Sequence, residues 1–143
     1  HGDLHCGNIL IKDGEINLID MDDVDLGHPI WDLSILTFLF DVFAAEAPAE
    51  TVKRVLHFSR EQCSNILKSV ISGYFKLDDD DETDFVIKAL GRLGMLRRVF
   101  IIPTLQKADI PPKAALIRKN FLAVMDEEKE ALEKVLEMFP MVN

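Results

Sequence analysis

The chain has 143 residues, 48% of them hydrophobic, and a formal net charge of −9. One domain-sized length with that much apolar residue folds around a core, which excludes a disordered chain. The acidic balance leaves no basic stripe to neutralise phosphates and excludes nucleic acid as a partner, while a cationic small molecule stays compatible with it.

The elements follow in order. Residues 1–7 read as a charged, glycine-containing loop. Residues 8–12 read as a strand with Ile9 and Ile11 on one face, and Asp13-Gly14 as a two-residue hairpin turn. The returning strand takes residues 15–20, and residues 21–29 form a loop punctuated by Gly27 and Pro29. A helix is predicted from Trp31 to about residue 45. Its most apolar run is interrupted by Asp32 and Asp41, so it reads as a buried helix and not a membrane span. Pro48 suits the start of the next helix, to about residue 58. Ser59 and Gln62 have capping-box spacing and open a helix to about residue 75. Residues 78–82 read as an acidic, solvated loop. Residues 83–102 read as a long helix with Leu90, Leu93 and Leu96 on a common side. Gly91 and Gly94 fall inside that pattern, so they do not make a phosphate-covering loop. Pro111-Pro112 opens the last helix, to about residue 139. No repeat or linker divides the chain, so residues 1–143 make one domain, mainly α with a small β-hairpin. Cys6 and Cys63 make no disulfide framework, which suits a reducing, cytoplasmic setting.

Asp3 and Asn8 lie before the first strand and Asp20 ends the second. A two-residue turn brings strand ends together, so Asp20 returns to the neighbourhood of Asn8. Three hard oxygen ligands suit Mg²⁺, which completes its shell from water and phosphate. Asp3 is then free to orient an attacking hydroxyl and accept its proton, while Asn8 and Asp20 hold ions on the phosphates. The spacing His-x-Asp, four residues, Asn, then a metal Asp after a short hairpin is the kinase one. Two alternatives stay open. His1, Asp3 and His5 form an HxDxH run that suits a metal-dependent hydrolase. A non-catalytic, kinase-like binding module is the other.

His1-Gly2-Asp3-Leu4-His5 with Gly7-Asn8-Ile9-Leu10 resembles the catalytic loop of the aminoglycoside phosphotransferase and choline kinase-like family. Ile19-Asp20-Met21-Asp22-Asp23 resembles its metal-binding segment, and Gly27, Pro29 and Asp32-Leu33 the helix start that follows. The motifs cover residues 1–33; Ser72-Gly73-Tyr74 is similar with much less specificity. The resemblance implies the C-terminal lobe of a protein-kinase-like α+β fold, with the N-terminal lobe absent. It implies Mg²⁺, ATP or GTP, and a small-molecule hydroxyl acceptor such as an aminoglycoside or choline, with no membrane partner. Asp3 would be the catalytic base, and Asn8 and Asp20 the magnesium ligands. His1 would brace the loop, and Asp32 would hydrogen-bond its backbone. Asp22 and Asp23 are expected to be solvated or structural, with a minor metal role as the alternative. Cys6 stands where a proline or another small residue is usual, and His28 where an acidic residue is often found. The sequence holds no glycine-rich phosphate loop after a strand. The chain is therefore expected to belong to a longer protein, to be inactive alone, and to self-associate through the bare lobe face.

Overall fold

The computed structural model describes residues 1–98 and 125–139. A 3-10 turn at Cys6–Asn8 leads into strand β1 (Ile9–Lys12), which pairs antiparallel with β2 (Glu15–Leu18). Asp13 and Gly14 both have positive φ, 53° and 82°, as the mirror-image turn between right-twisting strands requires. The register sets Ile9 against Leu18 and Ile11 against Ile16, so these four side chains share one face of the hairpin. Ile11 and Ile16 are more than two-thirds exposed on it.

The rest is helical. Helix α1 (Ile30–Thr37) runs without a break through a π-helical segment (Phe38–Phe43) into a last turn, α2 (Ala44–Glu46). Then come α3 (Ala49–Leu56), α4 (Arg60–Phe75), α5 (Asp80–Leu96) and α6 (Met125–Met138). No described helix is long and apolar enough to cross a membrane. Cys63, Leu67 and Ile71 recur every four residues on α4, and Val86, Leu90 and Leu93 follow the same face rule on α5. They meet Leu33, Leu36 and Phe40, Val52 and Leu56, and Val135 and Phe139 in one core. Burying each large aliphatic side chain stabilises the fold by about 1.5–3 kcal/mol.

Helix ends have visible causes. The capping box is formed: Ser59 Oγ accepts from Gln62 N at 3.2 Å, and Gln62 Oε1 accepts from Ser59 N at 2.9 Å. His28 Nδ1 accepts from Ile30 N at 3.2 Å, so an imidazole satisfies a free donor at the start of α1. His57, which the periodicity puts inside a helix, instead ends α3 with φ 65°. The expected acidic loop at residues 78–82 is mostly helix. Asp79 caps α5 by accepting from Glu82 N at 2.8 Å, and Asp80, Asp81 and Glu82 fill its first turn, where negative charge suits the helix dipole. The extension of this helix to residue 102 and the Pro111-Pro112 helix start lie outside the described residues.

Gly91 and Gly94 are packing residues. A Cβ at Gly94 would overlap the Ser34 carbonyl oxygen and stand 2.6 Å from Phe38 Cβ. Two glycines three apart flatten one face of α5, so α1 and the π segment lie directly against its backbone.

Candidate active site

The site is the loop before β1, held against the start of α1. Asp32 sits in the first turn of α1 and accepts two hydrogen bonds from the loop backbone. His1 N reaches Oδ2 at 2.8 Å and Gly2 N reaches Oδ1 at 2.9 Å. Arg97, at the end of α5, donates from Nη2 to the Gly2 carbonyl at 2.7 Å and more loosely from Nη1 to the Trp31 carbonyl at 3.5 Å. The Gly2 peptide is thus gripped on both sides. Gly2 has φ 87°, and a Cβ there would stand 2.5 Å from the Asp23 carbonyl oxygen. Positive φ and close approach both demand glycine.

The histidines are committed to the scaffold. His1 Nδ1 faces Asp3 N at 3.4 Å and must accept, so Nε2 carries the proton and donates to the Ile19 carbonyl at 2.9 Å. That bond ties the loop to the residue before Asp20. His5 Nδ1 accepts from Gly7 N at 3.0 Å, which turns its Nε2–H toward Asp3 Oδ2 at 3.5 Å. With both His1 nitrogens and one of His5 so engaged, the HxDxH run does not point its lone pairs at a common centre. Among the described residues, no three His, Cys, Asp or Glu side chains gather around a point where a metal could sit.

The oxygens differ. The Asp3 backbone is fixed at both ends, by His1 through its N–H and by Asn8 Nδ2, which donates to its carbonyl at 3.1 Å. Its carboxylate stays half exposed, with His5 as its neighbour. Asn8 is 5% exposed, and with Nδ2 turned to Asp3 its Oδ1 has no hydrogen-bond partner among the described residues. A buried acceptor without a donor fits a bound cation. Asn8 also accepts at its carbonyl from Ile19 N at 3.0 Å, which carries the ladder past β2 to the residue beside Asp20. Asp20 itself lies beyond the strand, at φ 60°, ahead of a 3-10 turn at Met21–Asp23. Its exposed carboxylate makes no capping bond. Both Asn8 and Asp20 therefore offer free, hard oxygen, as a magnesium ion needs. Asp22 and Asp23 are exposed on that turn, and Asp23 meets Gly2 through its backbone.

Cys6 is packed against the core, and desolvation raises its thiol pKa against the lowering effect of two backbone hydrogen bonds. Such a thiol is a poor nucleophile at neutral pH. Cys63 is fully buried and its thiol is pushed up too, first by desolvation and then by Cys6.

A cleft of about 400 Å³ opens beside Asp3 and His5. Its wall is apolar, from Ile35, Phe38, Leu39, Phe43 and Val55, and Arg97 and Arg98 stand at its edge. Sequence reading missed Arg97. Its partner Gly2 is 95 residues away, and only a known helix packing brings the two together.

Residues 1–65 match the family model described as the phosphotransferase enzyme family, APH. The resemblance read from the loop and hairpin motifs is borne out over that stretch, and these residues carry a phosphotransferase-family sequence. No curated protein and no solved structure matches the chain.

Proposed function

We propose that this chain supplies the catalytic half of a small-molecule kinase. It passes the terminal phosphate of ATP or GTP to a hydroxyl group, together with a nucleotide-holding lobe outside these residues. The observation that carries the reading is the contrast within one loop: the N–H and carbonyl of both Gly2 and Asp3 are tied down, while Asp3, Asn8 and Asp20 keep free oxygen.

Asp3 is the base. Its carboxylate receives the proton of the acceptor hydroxyl as the oxygen attacks phosphorus, and His5 limits its rotation. Asn8 Oδ1 and the Asp20 carboxylate would hold magnesium, whose charge, when bound, offsets that of the phosphates. Asp32, Arg97 and His1 are positioning residues. They fix the loop backbone, so that Asp3 meets the hydroxyl without a search through conformations. Cys6 stands beside the chemistry without joining it.

The test is the magnesium dependence of turnover in the intact protein. Asp20→Ala and Asn8→Ala should both raise the magnesium needed for half-maximal rate, on the order of tenfold or more, with Asp20 the larger because it carries charge. An unchanged requirement in both variants would put the metal elsewhere.

A further inference from the structure

From the cleft beside Asp3 we infer that the hydroxyl acceptor has an apolar body and a negatively charged far end, a hydroxy acid in chemical class. This rests on the phosphotransferase reading and names its substrate.

The π segment is the first observation. Its wider turn brings residues five apart to a common side, and Phe38 and Phe43 both line the cleft with Leu39 between them. These side chains are half-buried and, with exposed Val55, offer surface that an apolar body would cover. The second observation is charge. Asp3 is the one carboxylate among the described lining residues, and the proton transfer employs it. Among the described lining residues a polycationic acceptor would find no other counter-ion. The lining carries two guanidinium groups instead. Arg97 is already bonded to the Gly2 and Trp31 carbonyls, but exposed Arg98 makes no hydrogen bond or ion pair among the described residues. An unpaired guanidinium at the rim of an apolar cleft is suited to a carboxylate or phosphate, which it meets with two parallel N–H donors. The phenyl faces of Phe38 and Phe43 would attract a quaternary ammonium, but the same two arginines repel it.

Three probes with the same eight-carbon body and terminal hydroxyl separate these outcomes: ω-hydroxyoctanoate, octanediol and ω-hydroxyoctyl trimethylammonium. Each is titrated calorimetrically into the intact protein without nucleotide. The carboxylate should bind about tenfold more tightly than the diol, and the ammonium compound most weakly. Arg98→Gln should erase the carboxylate preference and Arg98→Glu should reverse it, at an exposed position where folding is not at stake. Equal affinity for all three, tighter binding of the ammonium probe, or no binding of any probe overturns the inference. Transfer is read separately, with Asp3→Asn. Unchanged turnover there would remove the kinase reading and leave the binding order as found, so the two failures are distinct.

Discussion

The loop-and-hairpin region, residues 1–28, and the helices behind it are ordered by different forces. Of the first 28 residues only Asn8 is buried. Their order comes from hydrogen bonds to Asp32, Arg97 and the His1 ring, and Ile11 and Ile16 stay bare. The helices hold together through apolar contact: Val52, Leu56, Ile71, Val86 and Leu90 are 1% exposed or less. A region whose carboxylates stay exposed builds no apolar core from them, so polar anchors do what a core does elsewhere. The two regions should therefore fail separately, one in chemistry and one in folding.

The largest effect on folding is expected at the α1–α5 contact. Gly94→Ala puts a methyl group into the Ser34 carbonyl and Phe38, and should destabilise the protein by about 3 kcal/mol in chemical denaturation. A loss smaller than about 0.5 kcal/mol would mean that the helices are not in direct contact there.

Asp32→Ala sharpens the boundary between the regions. It removes the acceptor of two loop N–H groups and no core contact, so about 1–2 kcal/mol of stability is expected to go. Amide exchange at Gly2 and Asp3 should accelerate while that of Leu90 follows only the global change, and turnover should fall by roughly tenfold or more. Equal acceleration in both regions would break the comparison.

The smallest effect lies on the helical side. Asp41 has its pKa raised, first by desolvation and then by the Asp84 carboxylate, with Lys88 opposing. An acid whose folded pKa is raised holds its proton more tightly in the folded state, so its charge weakens the fold at higher pH. Asp41→Asn should stabilise the protein at neutral pH by about 0.5 kcal/mol or less, after discounting for solvent screening at this exposed site. The gain should fade as pH drops through the raised pKa and vanish below the ordinary value of 3.8. A gain that grows toward acid pH would reverse the sign.

The sequence made the two regions legible to different degrees. Asp3, Asn8 and Asp20 could be proposed because a short hairpin and a fixed spacing set them near one another in the chain, and His1 and Asp32 because the motifs resemble a known catalytic loop. Ser59 and Gln62 announced the start of α4 through side-chain chemistry alone. Asp79 to Glu82 misled because acidic residues suit both a solvated loop and the first turn of a helix, and only the packing of α5 decides. The π segment was invisible because residues 38–43 are as apolar as the α-helix around them, and a period change so short leaves no pattern. Arg97 was invisible for another reason: its bond to Gly2 spans nearly the whole chain, and no local rule reaches that far.

The central claim is that a rigid loop holds one free carboxylate for proton transfer, and Asp3→Asn in the intact protein tests it most directly. Asn keeps the shape and the backbone bonds of position 3 but cannot take the proton. Turnover should fall on the order of a thousandfold, while nucleotide affinity and the denaturation midpoint stay as in wild type. Turnover within about tenfold of wild type, in a variant that still folds and binds nucleotide, would contradict the account.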